Sequence, residues 1–145
     1  MNTSAFSTIE PAASLAATSR KVVWAGRIVS GFAALFMLVD GAMKLFRPPF
    51  VLEANARLGY PEYTLVGIGA ALLACTAFYL IPRTSILGAI LLTGYLGGAV
   101  ASNVRAEQGS FNVLFPLIFG SFVWGGLWLR DKRLRNLLLL TNGSI

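Results

Sequence analysis

Long apolar segments constrain this chain more than any other feature of its sequence. Four of them cover approximately residues 22–46, 63–81, 85–104 and 111–129. A helix of about 20 residues spans the ~30 Å hydrocarbon core of a bilayer. Of all residues, 56% are hydrophobic and 12% are charged, against about 25% charged in a typical soluble domain. The sequence therefore predicts an all-α, polytopic membrane protein built as a bundle of four transmembrane helices.

The segments between and beside these helices have their own patterns. Pro48 and Pro49 end the first helix, because proline lacks an amide donor and clashes with the preceding turn. Within residues 47–62 a short interfacial helix is predicted, ending at Gly59, because four apolar side chains share one helical face: Phe50, Val51, Ala54 and Leu58.

The two ends of the chain differ from the predicted membrane domain, which covers residues 20–140. Residues 1–19 are rich in Ser, Thr and Ala and are predicted to form a flexible tail. Residues 130–145 carry leucines at helical spacing beside basic side chains. That pattern predicts an amphipathic helix lying on anionic lipid.

The basic residues predict the orientation of the bundle. Eight of the 12 lie near one set of helix ends: Arg20, Lys21, Arg27, Arg83, Arg130, Lys132, Arg133 and Arg135. The remaining four lie near the opposite ends: Lys44, Arg47, Arg57 and Arg105. The positive-inside rule places both termini in the cytoplasm. Because these residues flank apolar segments and form no stripe with interleaved aromatics, the expected partner is the lipid bilayer and not nucleic acid.

Several kinds of chemistry are excluded by what the sequence lacks. It contains no histidine and one cysteine, Cys75. Histidine-ligated zinc or haem, a histidine general base and an intrachain disulfide are therefore excluded, and no metal site is predicted. No nucleophile–base pair or cofactor motif is visible, and no cofactor is evident. Whether the protein is an enzyme stays open on the sequence, which favours a protein without catalytic activity.

The third apolar segment, Leu87–Arg105, carries a stripe of small side chains on one helical face: Thr93, Gly94, Gly97, Gly98 and Ala101. Helices in lipid associate through close backbone approach, which small residues permit. This helix is therefore predicted to be the central one, packed against the other three through the stripe. Use of the same face in a homo-oligomer stays open as an alternative.

Two charged residues fall in the last third of the first apolar segment. Asp40 and Lys44 are four residues apart, acid first, which is the favourable order for a helical ion pair. Each charge costs ~2.5–3.5 kcal/mol at the centre of a membrane helix, so both are expected to face protein, each other or water. The predicted topology puts further polar residues on the same side: Tyr60, Asn103, Arg105 and Asn112. The resulting cluster is interpreted as either a structural ion pair, Asp40 with Lys44 or Arg105, or a ligand or proton site.

Several collinear motifs resemble the DoxX-like family of four-helix membrane proteins. They are Asp40–Lys44, Leu58–Pro61, Ile81–Thr84, Leu87–Arg105, where the resemblance is densest, Leu114–Pro116 and Leu129–Asp131. The resemblance implies a single bundle in a bacterial inner membrane, and some relatives are associated with quinone-linked sulfur or thiol redox systems. Members often carry histidine where this chain has Asn103 and Asn112. Asparagine cannot shuttle a proton, so a mechanism that needs those histidines is not expected here.

Three functions remain open on the sequence. The first is a non-catalytic membrane component or partner subunit. The second is a small quinone-linked redox subunit, which would need a bound quinone or a redox partner because the chain has no redox centre of its own. The third is a small transporter, or a binder of lipid or another small molecule, that uses Asp40, Lys44 and Arg105. This last function requires a polar cavity open to at least one side.

Overall fold

Five helices make up the part of the chain that the structure describes. A computed structural model describes residues 10–131 and Leu134, with the backbone alone for residues 10–19. The helices are α1 Glu10–Phe46, α2 Pro49–Arg57, α3 Thr64–Leu80, α4 Ser85–Arg105 and α5 Ser110–Arg130. No strand occurs in these residues, so the predicted all-α class is confirmed, as is the short helix between the first two apolar segments.

Three of the described helices are long and apolar enough to cross a membrane: Arg20–Phe46 of α1, α4 and α5. Their outward faces stay apolar, as along α1, where exposed side chains recur every three or four residues: Trp24, Ile28, Phe32, Leu35, Val39 and Met43. So much exposed apolar surface is rare on soluble proteins and suits contact with lipid chains. The chain is a helical membrane bundle.

The remaining apolar helix, α3, is shorter than the predicted apolar segment at residues 63–81. It has 17 residues and so extends about 25 Å, a little less than the ~30 Å hydrocarbon core. Its end is set by Pro82, because the residue before a proline avoids the helical region. Ile81 is indeed extended, with ψ 120°.

The first helix begins earlier than predicted. α1 starts at Glu10, inside the segment expected to be a flexible tail. Pro11 is tolerated in a first helical turn, and the alanine-rich residues that follow favour helix. Residues 1–9 lie outside the described residues. So does most of the predicted amphipathic helix at 130–145, of which Arg130, Asp131 and Leu134 are described.

The long helices pack as a ring. α1 packs on α3 and α5, and α4 packs on the same two helices. The core between them includes the fully buried side chains of Leu72, Tyr79, Leu92, Val123 and Leu127. No described helix occupies a central position in this ring, so the predicted central role of α4 is wrong.

Close helix contacts use glycines other than the predicted ones. A Cβ placed on Gly126 of α5 would lie 2.5 Å from Ser30 Oγ in α1, and one placed on Gly69 of α3 would lie 2.9 Å from the carbonyl oxygen of Gly41. A Cβ on Gly88 of α4 would collide with the backbone of Tyr79. These contacts join α1 to α5, α1 to α3, and α3 to α4.

Apart from Thr93, whose Oγ1 accepts a hydrogen bond from Trp124 Nε1 of α5 at 2.8 Å, the predicted stripe on α4 does not pack against the described part of the chain. A Cβ on Gly94, Gly97 or Gly98 would meet none of its atoms within 4 Å, and Ala101 is exposed. The buried face of α4 carries bulkier side chains, including Leu92 and Leu96, which fill the space against α3 and α5. A helical wheel identifies a face of small residues, but it does not tell which face the neighbouring helices cover.

The close packing of α1 against α5 can be tested at two adjacent glycines of α5, Gly125 and Gly126. Replacing Gly126 with alanine should destabilise the protein by about 1–3 kcal/mol, because the new methyl group overpacks the contact with Ser30. The measurement is thermal unfolding in mild detergent. Gly125→Ala is the matched control, since no described atom lies within 4 Å of its Cβ position and alanine favours helix by up to about 1 kcal/mol. Equal melting temperatures for the two variants would contradict the packing described for α1 and α5.

Candidate functional site

A cavity of about 590 Å³ lies between α1, α4 and α5 on the side that α2 covers. Its volume falls within the ~300–1,000 Å³ typical of small-molecule sites. Polar side chains from four parts of the chain line it: Asp40, Lys44, Asn55, Tyr60, Tyr95, Ser102 and Asn103. Apolar side chains form the rest of the lining, chiefly Phe36, Met37, Met43, Phe115 and Phe119. The cavity is therefore amphipathic.

The short helix α2 closes one side of this cavity. Pro48 is extended and Pro49 occupies the first helical turn, which suits the fixed φ angle of proline. The apolar face predicted for this helix lines the cavity with all four of its residues: Phe50, Val51, Ala54 and Leu58. α2 therefore contributes an apolar wall to the cavity.

Asn55 on the same helix is a polar lining residue that was not predicted from the sequence. Its side chain is buried and its Nδ2 donates to the Val51 carbonyl oxygen at 2.8 Å. Its helical spacing does indicate this position, because Asn55 follows Val51 by four residues and so lies on the same face of α2.

Asp40 and Lys44 form an ion pair at the cavity. Lys44 Nζ lies 2.6 Å from both carboxylate oxygens of Asp40. The Lys44 side chain is 13% exposed and that of Asp40 is 36% exposed, so the carboxylate is the more accessible partner. Pairing the two charges offsets the cost of holding them away from bulk water.

A hydrogen bond joins the loop after α2 to α4. The Ser102 hydroxyl donates to the Gly98 carbonyl oxygen at 2.9 Å, and a hydroxyl has a single proton to donate. Tyr60 is therefore the donor in its own 2.5 Å contact with Ser102 Oγ. Asn103, the next residue, donates its Nδ2 to the Ala99 carbonyl oxygen at 2.8 Å and also lines the cavity.

The structure does not bring Arg105 into the cluster with Asp40. Its Nη2 donates to the Leu58 carbonyl oxygen at 2.6 Å. Leu58 is the C-terminal cap of α2, where carbonyl groups lack helical partners and attract a cation. The guanidinium also covers Gly59, whose φ of +78° is left-handed. The predicted helix stop at Gly59 therefore has a backbone conformation that favours glycine.

Asn112 is also outside the cavity. It lies exposed in the first turn of α5, about one turn before the lining residues Phe115 and Pro116. Of the six residues predicted to form the polar cluster, four line one cavity: Asp40, Lys44, Tyr60 and Asn103.

The described residues contain no group of three or more His, Cys, Asp or Glu side chains placed to hold a metal ion. Cys75 is half-buried and packs against the apolar core.

Comparison with known proteins agrees with the helical architecture. A model of the family described as DoxX-like matches residues 28–126, which is more than half of the 145 residues. The chain belongs to the DoxX-like family. No curated protein and no solved structure gives a significant match. The residues matched by the DoxX-like family include every residue that lines the cavity, from Phe36 to Phe119.

Replacing Tyr60 with phenylalanine tests the hydrogen bond that joins the α2–α3 loop to α4. The variant should lose about 0.5–1.5 kcal/mol of stability, the usual net worth of one hydrogen bond. The measurement is thermal unfolding in detergent. Tyr63→Phe is the control, because Tyr63 is 80% exposed. An equal loss in both variants would mean that the Tyr60–Ser102 contact does not hold the loop.

Proposed function

We propose that this DoxX-like protein binds a small amphipathic molecule within the membrane, in the cavity beneath α2. The observation that carries the proposal is the cavity itself, in which a polar wall and an aromatic wall enclose about 590 Å³. A polar head would lie against Asp40, Lys44 and Asn103, and an apolar body would lie along the phenylalanines.

The polar wall supports a head group that is neutral or zwitterionic. Asp40 and Lys44 cancel each other's charge, so the lining has no net charge to attract a simple ion. It does offer both hydrogen-bond donors and acceptors, since asparagine side chains supply both and a carboxylate accepts. A head group that carries both kinds of polar atom matches this wall.

The apolar wall supports a planar or flexible hydrophobic body. The rings of Phe36 and Phe119 stack with centroids 4.1 Å apart, and Phe36 meets Phe115 edge to face at 5.3 Å. Met37 and Met43 lie beside them, and methionine adapts to irregular shapes. A quinone, which the resemblance to redox-linked relatives suggests, has a ring with two carbonyl acceptors and an apolar tail, and so falls within this ligand class.

The proposal extends to setting and partners. We assign the protein to a bacterial inner membrane with both termini in the cytoplasm, which the excess of basic residues at one set of helix ends supports. We also assign it a binding role and no reaction of its own, as a membrane component that supplies its bound molecule to a partner subunit. A redox role would then depend on that partner, because this chain supplies no redox centre.

Neighbouring glycines of α4 provide a test of the binding role. Gly98 lines the cavity whereas Gly97 does not, and neither has a described atom within 4 Å of its Cβ position. Gly98→Leu should therefore fill the cavity and leave the bundle folded. Native mass spectrometry of the gently purified protein should show a bound small molecule in wild type and a loss of that mass in Gly98→Leu.

Gly97→Leu is the matched control and should retain the molecule, because the same side chain is added one residue away from the cavity wall. Purification in two detergents of different mass separates a true ligand, whose mass stays constant, from bound detergent. Wild-type protein with no retained molecule, or equal retention in all three proteins, would refute binding in this cavity.

A further inference from the structure

Three arginines line a second cleft, at the end of the bundle opposite to α2. Arg27 comes from α1, Arg83 from the turn between α3 and α4, and Arg130 from the last turn of α5. The cleft has a volume of about 310 Å³. Its remaining lining residues are Pro82, Ser85 and Asp131.

The charges in this cleft do not balance. Asp131 is the single acidic residue among three guanidinium groups, and it accepts a hydrogen bond from Ser85 Oγ at 3.5 Å. Within the described residues, no hydrogen bond or ion pair engages the side chain of Arg27 or Arg83. Gathering like charges in one cleft is unfavourable unless an anion joins them. The lining therefore favours an anionic ligand.

Arg130 is held in place for such a ligand. Its Nη2 donates to the Tyr79 carbonyl oxygen at 2.9 Å, and its guanidinium lies over the Tyr79 ring, 4.7 Å from the centroid. Arginine has five N–H donors in a planar fork, so the contact with Tyr79 fixes the group and leaves other donors for a ligand. A fixed guanidinium loses less conformational freedom on binding than a mobile one.

Exposed tryptophans flank the cleft. Trp24 lies about one turn before Arg27 in α1 and is 56% exposed, and Trp128 lies two residues before Arg130 and is 49% exposed. Tryptophan is enriched where the membrane meets water, at the level of the lipid head groups. The cleft therefore lies at the depth where phospholipids carry their phosphate.

We propose that this cleft binds the phosphate of an anionic phospholipid head group through Arg27, Arg83 and Arg130. Guanidinium groups bind phosphate with two parallel hydrogen bonds, and this geometry distinguishes arginine from lysine. The site is independent of the cavity beneath α2, from which the length of the bundle separates it. The proposal assigns a lipid-binding role to the end of the bundle opposite to α2.

The test is thermal unfolding of the full chain in detergent with three additives: short-chain phosphatidylglycerol, phosphatidylcholine of the same chain length, and inorganic phosphate. A ligand that binds the folded state raises the melting temperature. Phosphatidylglycerol should raise it more than phosphatidylcholine does. In the double variant Arg27→Gln/Arg83→Gln, the concentration of phosphatidylglycerol needed for half the shift should rise at least tenfold.

Two further variants separate this site from general charge effects. Arg57→Gln removes an exposed cation from α2 at the other end and should leave the shift unchanged. Arg27→Lys/Arg83→Lys keeps the charge but loses the paired hydrogen bonds, so it should weaken the response less than the glutamine variant. The melting temperature without additive reports whether each variant is folded.

The outcomes are distinct. An equal shift from inorganic phosphate at matched concentration would support the phosphate site but overturn its assignment to lipid. An unchanged response to phosphatidylglycerol in Arg27→Gln/Arg83→Gln would overturn the site itself, as would an equal weakening in Arg57→Gln.

Discussion

Tyr79 is the residue on which the packing of the bundle most depends. It belongs to α3, and its side chain is fully buried. Its hydroxyl donates to the Val123 carbonyl oxygen of α5 at 2.9 Å and shares a hydrogen bond with the Ser30 hydroxyl of α1 at 3.0 Å. Its backbone lies against Gly88 of α4. Tyr79 thus links α3 to the other three long helices, to α1 and α5 through its side chain and to α4 through its backbone. Its hydroxyl is paired in a setting where an unpaired polar group would cost several kcal/mol.

Tight packing around Tyr79 explains why the cavity forms at the other end. Near Tyr79 the glycines and Ser30 let the helices approach closely, and Arg130 covers the ring. Toward α2, α1 and α3 still approach closely at Gly41 and Gly69, but longer side chains lie between α1 and α5, among them the stacked pair Phe36 and Phe119. These side chains keep the backbones apart, so space remains that α2 covers. The two proposed sites follow from this difference between the ends. The charged cleft lies beside the closely packed end around Tyr79, and the amphipathic cavity lies at the end that α2 covers.

The sequence predicted the elements well and the contacts less well. The Pro48–Pro49 pair, the helix-length apolar segments and the apolar face of α2 are local patterns, and local patterns carry over directly to the structure. The ion pair of Asp40 with Lys44 is also local, since four residues along a helix bring two side chains together. Arg105 depends on where the end of α2 lies in space, and no pattern along the chain reports that distance. The same holds for Asn55, which becomes a site residue only because α2 folds over the cavity.

The glycines of α4 show that the role of a small residue depends on whether another helix packs against it. Gly88 and Gly98 have the same side chain on the same helix, yet Gly88 permits contact with Tyr79 whereas Gly98 borders the cavity. A small residue reduces the distance between two helices only where the second helix is free to approach. Opposite Gly98 it is not, because α2 and the phenylalanines of α1 and α5 hold the surrounding elements apart. Gly94 and Gly98 therefore maintain the volume of the cavity, and the feature that suggested a packing face becomes part of the wall of the proposed binding site.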